Sequence, residues 1–222
     1  MLTLLIATGC RPAAWAISEQ LLARQTYGGE ARLVIVDDGP EPQPVTLQRA
    51  GWTIDVVRPE PFWTAGKNTQ ARNLAAGLAV IGNGERVAVW EDDDYYAPGY
   101  LADVDRWLES ADIVGEPRAR YYNVATGKGR QLHNDKHASL CSTAVKGEGL
   151  ALLRHAVKRR QTYIDMDLWR QHASKRLYPT RHVVGIKGLP GRGGIGVGHR
   201  DDFGHAINLR DWIGEDAALY GR

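Results

Sequence analysis

Apolar and polar positions along the first half of the chain follow two distinct periods. Near-continuous apolar runs occur in LTLLIAT, ARLVIV and RVAVW, and apolar residues alternate with polar ones in WTIDVV. Runs of this length predict strands, and fully apolar ones are typical of strands covered on both faces. Apolar residues recur at three- and four-residue spacing in AAWAISEQLLARQT, KNTQARNLAAGLAVIG and PGYLADVDRWLESA, which predicts helices. The order β-α-β-β-α-β-α indicates an α/β fold with a mostly parallel central sheet flanked by helices.

The pattern is less regular after residue 112, where we place a soft boundary within one continuous fold. Residues 112–132 predict a β-hairpin whose turn is TGKG. Residues 147–160 and 162–175 predict two further helices, the first of them amphipathic with a basic end. The glycine-rich stretch 181–204 predicts irregular structure, because glycine weakens both helices and strands.

Polar residues follow three of the predicted strands at the point where each strand ends. The three segments are TGCRP, VDDGP and WEDDDYY. Parallel strands end at the same edge of a sheet, and ligands of open α/β sheets bind at that edge. We therefore expect the three segments to converge on one crevice.

Four adjacent carboxylates, Glu91 to Asp94, stand out among these segments. Like charges at this spacing repel, so a folded chain needs a positive partner beside them. An Asp-x-Asp pattern after a buried strand offers hard oxygen ligands that suit Mg²⁺ or Mn²⁺. Asp92 with Asp94 and Glu91 with Asp93 both have suitable spacing, and the sequence does not choose between the pairs. The alternative is a solvated turn that caps the helix beginning near Pro98.

Composition narrows the class of protein. Hydrophobic residues make up 43 % of the 222 residues, which is enough for a packed core. No apolar run approaches the roughly 20 residues that a membrane span needs. Cys10 and Cys141 indicate neither a disulfide framework nor a zinc site. We therefore expect a cytoplasmic protein in a reducing compartment, without membrane attachment.

Charge is distributed unevenly, although the net charge is only +2. Residues 1–111 carry a charge of −6, whereas residues 112–222 carry +8 and all seven histidines. A basic half favours an anionic partner, and the run RHAVKRR from Arg154 to Arg160 is a candidate surface for one. The alternative is that this run is an ordinary solvated helix face.

Together, the motifs resemble those of GT-A glycosyltransferases, particularly family 2. In that family a first strand ends near T..RP, a second ends in VDDGS, a helix carries AxARN, and a strand with a DxD precedes PxYL. The matching segments here are ATGCRP, VIVDDGP, NTQARNLAAG and WEDDDYYAPGYL, in the same order over residues 3–101. Glu91 departs from the pattern, since the family commonly has Asp there. The resemblance implies a GT-A fold and metal-dependent transfer of a sugar from a nucleotide-diphosphate donor, usually a UDP-sugar, to a hydroxyl acceptor.

The resemblance also assigns roles to residues of this chain. Those expected around the donor are Thr8, Arg11, Asp37, Asp38, Arg72, Asn73, Asp92 and Asp93. Either Asp37 or Asp38 would accept hydrogen bonds from the base, the alternative being a strand-end turn. Mn²⁺ or Mg²⁺ would be bound by Asp92, Asp94 and His199, because several GT-A enzymes use a late histidine as the third metal ligand.

We expect residues 1–111 to bind the nucleotide sugar and residues 112–222 to bind the acceptor, with a glycine-rich loop at 185–204. Glycine lets backbone approach a ligand closely, and Lys187 and Arg192 could hold phosphates there. The loop lacks the GKS or GKT ending of a P-loop, which argues against a nucleoside triphosphatase.

The resemblance implies a catalytic base in the second half. Inverting members carry it in EDxDLxxR at a helix start, and YIDMDLWRQ matches this motif in part. Asp165 falls at the position of the base, although Ile164 replaces the preceding Glu. A helix amino end favours an ionised carboxylate, which is the state that a general base needs. Asp167 is the rival candidate, and a simple N-cap is the alternative interpretation of the acidic pair.

The acceptor is open. Short chains of this kind resemble phage enzymes that glycosylate hydroxymethylated bases in DNA, so a phage-encoded protein acting on DNA in the host cytoplasm is one expectation. A protein or a small molecule is equally compatible as the acceptor. Two other classes also remain: a nucleotidyltransferase, which would release pyrophosphate, and a non-catalytic module that binds glycan or nucleic acid.

Overall fold

The computed structural model describes residues 1–193, 197–200 and 202–222, so part of the predicted loop at 185–204 lies outside the described residues. The strands are β1 Leu2–Thr8, β2 Ala31–Asp37, β3 Trp52–Val57, β4 Arg86–Glu91, β5 Tyr95–Tyr96, β6 Ile113–Gly115, β7 Arg120–Asn123, β8 Lys128–Gln131, β9 Thr143–Val145, β10 Lys175–Leu177, β11 Val183–Lys187 and β12 His205–Ala206. The helices are α1 Pro12–Ala23, α2 Gln70–Ala79, α3 Tyr100–Trp107, α4 Gly147–Arg159, α5 Ile164–Arg170 and α6 Arg210–Ile213.

The central sheet has seven strands in the order β10-β6-β9-β4-β1-β2-β3. β1 pairs in parallel with both β2 and β4, and β2 pairs in parallel with β3. β9 is antiparallel to its neighbours β4 and β6. The prediction of a mostly parallel sheet flanked by helices is therefore confirmed.

The central sheet has an apolar core on each face, and alternate residues of β1 contribute to both. Leu4 belongs to the same apolar cluster as Trp15 of α1 and Val104 of α3. Leu5, its neighbour in β1, belongs to the cluster that contains Leu74 of α2 and residues of α4 and α5. Burial of each such leucine contributes about 2 kcal/mol to folding. This two-sided burial explains why LTLLIAT is apolar almost throughout.

A second sheet has five strands in the order β12-β8-β7-β11-β5. β7 and β8 form the antiparallel hairpin that residues 112–132 predict. The prediction of irregular structure for all of 181–204 is wrong at β11, which pairs with β7 and β5. Gly185 is needed inside this strand because a Cβ there would lie 2.4 Å from ring carbons of Tyr121.

Three of the predicted helices, α2, α3 and α5, begin later than their patterns indicate. α2 begins at Gln70, and the preceding Thr69 hydroxyl donates to Asp38 instead of capping the helix. α5 begins at Ile164 and ends at Arg170, and the chain then enters β10. Among the described residues, no helix combines the length and apolar character that crossing a membrane requires.

The residues Asp92 to Asp94 connect the two sheets, because they join β4 of the central sheet to β5 of the second sheet. Trp90 of β4 and Tyr96 of β5 stack with ring centroids 3.7 Å apart. The Tyr96 hydroxyl accepts from the Glu91 backbone N–H at 2.8 Å and donates to the Cys141 carbonyl at 3.1 Å. The acidic turn is thus fixed at both of its ends.

Candidate functional site

A pocket of about 460 Å³ lies at the carboxyl end of β1 and β4. Most of the sequence-predicted site residues line it, namely Thr8, Arg11, Asn73, Asp92, Asp93, Asp165, Lys187, Arg192 and His199. The other predicted residues, Asp37, Asp38, Arg72 and Asp94, are not part of this lining. Two of the three polar segments, TGCRP and WEDDDYY, line the pocket as expected, whereas VDDGP is connected to it only through the pair of Asp38 with Arg192. Residues from both halves of the chain contribute to the pocket.

Arg11 holds two neighbouring carboxylates of the acidic turn. Its Nη1 donates to Asp92 at 2.7 Å and its Nη2 donates to Asp93 at 2.6 Å. The Thr8 hydroxyl also donates to Asp92, at 2.7 Å. Burial alone would lower the pKa of Arg11, but the carboxylates of Asp92 and Asp93 raise it. Arg11 is therefore a permanent cation between the acidic turn and the pocket.

Lys187 supplies the second cation of the turn. Its Nζ lies 2.9 Å from Oδ1 of Asp94, 3.4 Å from Asp93 and 3.6 Å from Glu91. The backbone N–H of Ile186 donates to the same Asp94 oxygen at 2.8 Å. Asp94 is therefore a partner of β11, and its side chain does not face the pocket.

Four carboxyl groups of the acidic turn face only two cations, so ionisation of all four is unfavourable. Burial raises the pKa of Glu91 and Asp92, and raises that of Asp94 well above its ordinary value. Burial would also raise the pKa of Asp93, but Lys187 and Arg11 lower it to about 2. Oδ2 of Asp94 is buried and has no hydrogen-bond partner among the described residues. A further cation would relieve this imbalance.

The three residues of the predicted metal set, Asp92, Asp94 and His199, have different surroundings in the structure. The structure does not bring these three together, because Asp94 is held by Ile186 and Lys187 while Asp92 is held by Thr8 and Arg11. Within the part of the chain that the structure describes, the potential ligand atoms that cluster within 4.8 Å belong to Glu91, Asp94 and Cys141. Burial raises the pKa of the Cys141 thiol well above its ordinary value, and a protonated thiol is a poor ligand for Mg²⁺ or Mn²⁺.

The pocket side of the turn presents other potential metal ligands. Glu91, Asp93 and His199 all line the pocket. Burial and the charge of Lys187 lower the pKa of His199 to about 4, so its imidazole is neutral at pH 7, as a metal ligand must be. Carboxylate and neutral imidazole groups are donor types that Mn²⁺ or Mg²⁺ accepts, but the ligand atoms of these three residues do not cluster within 4.8 Å among the described residues. Glu91 and Asp93 are the second pair whose spacing the sequence leaves open.

The two aspartates at the end of β2 have different surroundings. Asp37 accepts from the backbone N–H groups of Gly39 and Gln43, at 2.9 and 2.8 Å, and from Arg58 at 2.7 Å. It therefore organises the turn after β2. Asp38 is fully buried and forms ion pairs with Arg72 at 3.0 Å and Arg192 at 2.6 Å. Of the two, Asp38 is next to the pocket lining, through Arg192.

Arg72 and Asn73 also differ in their contacts, although they are neighbours in α2. Arg72 donates to Asp38, to the carbonyl of Pro61 at 2.5 Å and to the side chain of Asn73 at 3.2 Å. Asn73 is buried and reaches the pocket lining. Arg72 therefore braces the base of the site, whereas Asn73 can contact a ligand.

The two acidic residues of α5, Asp165 and Asp167, also have different surroundings. Asp165 lines the pocket, and burial raises its pKa although the Met166 backbone N–H and His137 oppose the shift. Asp167 lies 3.2 Å from Arg160, outside the pocket lining. Asp165 is thus the carboxylate that a bound acceptor could reach.

Internal contacts account for part of the basic run. Arg154 donates to the carbonyls of Leu78 and Ile81, at 3.3 and 2.5 Å, and so attaches α4 to the end of α2. Arg160 pairs with Asp167. Two cations of the run are therefore structural.

Sequence reasoning missed two aromatic residues of the site. Trp63 follows β3 in a loop, and its ring lies 4.8 Å from the guanidinium carbon of Arg192. Tyr163 lines the pocket, is 68 % exposed and has a left-handed backbone with φ of 57°. A bulky residue rarely adopts this conformation, and its sequence neighbours carry no signal of it.

Comparison with solved structures connects this geometry to known proteins. No family model matches the chain, and no curated protein matches it in sequence. S. aureus TarS residues 1–349 in complex with UDP-GlcNAc superposes with a TM-score of 0.60 at 16 % identity, over 99 % of this chain and 65 % of that one. The same TarS fragment with UDP bound gives 0.58 at 16 % identity, over 83 % and 60 %. The chain has the fold of GT-A glycosyltransferases.

A more distant GT-A neighbour is the mannosyltransferase PcManGT from Pyrobaculum calidifontis in complex with GDP-Man and Mn²⁺. It has a TM-score of 0.50 and 13 % identity, over 85 % of this chain and 57 % of that one. The chain covers less than two thirds of the length of each of these neighbours. The likeness confirms the predicted GT-A fold.

Proposed function

We propose that the protein transfers a sugar from a nucleotide-diphosphate donor, with UDP-sugar as the leading candidate, to a hydroxyl group of an acceptor. The observation that carries this proposal is the pocket at the carboxyl end of β1 and β4, where an acidic turn faces cationic side chains within a GT-A fold. GT-A neighbours hold UDP, UDP-GlcNAc or GDP-Man in their structures.

The donor diphosphate would lie against the cations of the pocket. Arg11, Lys187 and Arg192 all line it, and guanidinium and ammonium groups are the usual phosphate partners in proteins. Arg11 and Lys187 are held in place by the acidic turn, so they need little reorganisation when charge develops on the departing diphosphate.

A divalent cation, Mn²⁺ or Mg²⁺, would be held by Asp93 and His199 with support from Glu91. Such an ion supplies charge that stabilises a leaving diphosphate. The excess of carboxyl groups over cations in the acidic turn favours its binding, because a further cation stabilises their ionised forms. Since Arg11 and Lys187 already occupy Asp93, we expect the ion to bind tightly only together with a diphosphate.

Asp165 is the proposed general base. It would take the proton of the acceptor hydroxyl while the oxygen attacks the anomeric carbon of the donor. The bond from that carbon to the diphosphate oxygen breaks, and the electron pair leaves with the nucleoside diphosphate. Attack opposite the leaving group inverts the anomeric configuration, which NMR of the product reports.

The acceptor would enter past Tyr163, whose exposed ring forms part of the pocket wall two residues from Asp165. A flat aromatic face suits an acceptor that presents a ring, either a sugar or a nucleobase. The charge of +8 on residues 112–222 favours an anionic acceptor. DNA with hydroxymethylated bases meets both requirements and is the acceptor that we would assay first.

The decisive experiment is calorimetry of UDP, CDP, GDP and ADP with and without Mn²⁺, followed by product analysis with the matching sugar nucleotides. We expect UDP to bind and Mn²⁺ to tighten it. The Asp93→Asn variant should lose the Mn²⁺ effect, whereas the control Asp55→Asn, at the end of the Arg32 pair far from the pocket, should retain it. Release of pyrophosphate from a nucleoside triphosphate would instead identify a nucleotidyltransferase.

A further inference from the structure

The guanidinium of Arg192 occupies a niche beside the pocket that consists of Asp38, Thr69 and Trp63. Nη1 donates to Oδ1 of Asp38 at 2.6 Å, and Nη2 donates to the Thr69 hydroxyl at 2.5 Å. The guanidinium carbon lies 4.8 Å from the centre of the Trp63 ring. The side chain of Arg192 is 14 % exposed, so most of it is shielded from water.

The niche has the chemistry that recognises a nucleobase. An aromatic ring offers a face for stacking, and a carboxylate beside it accepts hydrogen bonds from N–H groups that lie in the plane of a stacked ring. A guanidinium is itself planar and carries N–H donors at its edge. Arg192 therefore satisfies the same groups that a base with a ring N–H, such as uracil or guanine, would satisfy.

Asp38 can release Arg192 without losing its charge partner. Arg72 donates to Oδ2 of Asp38 at 3.0 Å, and the Thr69 hydroxyl donates to the same oxygen. Only Oδ1 is taken by Arg192. Departure of Arg192 would thus free one acceptor that is already aimed into the niche, with Arg72 still in contact with the carboxylate.

The backbone of Arg192 is attached close to the expected diphosphate position. Its N–H donates to the Cys10 carbonyl at 3.3 Å, next to Arg11. The side chain itself lines the pocket together with Arg11 and Lys187. A long side chain anchored there can contact either the niche or a phosphate.

We propose that Arg192 occupies the base niche in the free protein and gives up Oδ1 of Asp38 to the N–H edge of the donor base, its guanidinium then contacting the diphosphate. This inference rests on the proposed function. The donor base must displace the Arg192 side chain from Asp38. A nucleoside without phosphates cannot form the contact between phosphate and Arg192 that would compensate for this displacement. Uracil donates its ring N3–H to Asp38, whereas N3 of cytosine is an acceptor, so cytosine can reach Asp38 only through its exocyclic amino group.

Calorimetry of uridine, UDP and cytidine with Arg192→Ala, Arg192→Gln and the wild type tests the proposal. If the niche is free about one tenth of the time, removing the competitor tightens uridine about tenfold. UDP should gain less than uridine, or lose affinity, because the phosphate contact is also removed. Cytidine, whose N3 cannot donate to Asp38, should gain less than uridine. The control Lys67→Ala removes an exposed cation at the pocket rim that does not contact Asp38, and it should leave uridine affinity unchanged.

The outcomes separate this inference from the proposed function. Uridine affinity that is unchanged or weaker in both Arg192 variants, while UDP binds the wild type, overturns the role of Arg192 and leaves the transferase proposal standing. Failure of every nucleoside diphosphate to bind the wild type overturns both. A second measurement does not depend on the variants: tryptophan fluorescence of the wild type should change when uridine replaces the guanidinium over Trp63, and should be insensitive to uridine in Trp63→Phe.

Discussion

Lys187 and Asp94 form a buried ion pair, with 2.9 Å between Nζ and Oδ1, at the place where the two sheets meet. The lysine ends β11 and the aspartate precedes β5, so the pair joins neighbouring strands of the second sheet through the acidic turn. Both side chains are almost fully shielded from water. Each charge is therefore tolerated only because the other is present.

Removing the lysine should be costly for this reason. We expect Lys187→Met to lower the free energy of unfolding by about 3–5 kcal/mol, because the carboxylates of the turn lose a buried partner. Urea denaturation at pH 7 measures the effect. Lys67→Met is the matched control, and as an exposed lysine it should change stability by no more than about 0.5 kcal/mol. A loss below about 1 kcal/mol in Lys187→Met would contradict the described pairing.

Asp165→Asn should reduce kcat of transfer by about a hundredfold or more while leaving the donor KM unchanged, because only proton removal from the acceptor is lost. Steady-state kinetics with saturating donor measures this. Asp167→Asn is the control in the same helix: it loses the ion pair with Arg160 and should melt at a lower temperature, yet retain kcat. The reverse result, with Asp167→Asn inactive, would assign the base to Asp167.

The pH dependence of transfer should reflect the burial of Asp165. Burial raises the pKa of this carboxyl above 3.8, its ordinary value. Only the ionised form can take a proton, so kcat/KM should be constant above the pKa and fall about tenfold per pH unit below it. A kcat/KM profile with an acid limb above pH 3.8, absent from the residual activity of Asp165→Asn, is the expected result. Circular dichroism at each pH excludes unfolding as its cause.

Gly9 follows β1 and packs closely against the residues that follow β2. Its φ is +133°, and a Cβ there would lie 2.4 Å from Oδ1 of Asp38 and 2.7 Å from the backbone N of Gly39. We expect Gly9→Ala to lose about 1–3 kcal/mol of stability and to weaken donor binding, because the clash displaces Asp38. Thermal denaturation and calorimetry measure the two effects. Gly28→Ala, where an added Cβ meets nothing within 4 Å, should be neutral in both.

Tyr163 offers a test of the acceptor side. If its ring stacks on the acceptor, Tyr163→Ala should raise the acceptor KM about tenfold, equivalent to about 1.4 kcal/mol, with no change in donor KM. Phe62→Ala removes another exposed aromatic side chain that lies outside the pocket lining, and it should change neither KM. Equal effects of the two substitutions on acceptor KM would exclude a specific role for Tyr163.

The central sheet and the meeting of the strand-end segments could be predicted from sequence because both depend on local periodicity and on the chain order of strands and helices. The position of β11 could not. Gly185 suggests a loop when only propensity is considered, but its lack of a side chain accommodates the ring of Tyr121, which is 64 residues away in the chain. Packing between distant segments, and not local preference, decides the structure there.

The ligand set could be predicted only in part for a similar reason. Acidic residues after β4 indicate cation binding, but alternation along an extended chain does not reveal which carboxylates face inward. Ile186 and Lys187 settle this by binding Asp94, and they do so through strand pairing that leaves no pattern in the turn itself. Likewise, Trp63 could not be assigned, because a loop aromatic acquires its role only when Arg192 lies over its ring.

The three-residue connection between β4 and β5 also limits how this protein can diversify. Its length sets the offset between one sheet and the other, since Trp90 and Tyr96 on either side are stacked and Tyr96 is bonded to both Glu91 and Cys141. One inserted or deleted residue would break the stacking and shift β5 against β11. Descendants of this sequence should therefore keep the length of this connection constant, and length variation should accumulate in the loops after β2 and β3 instead.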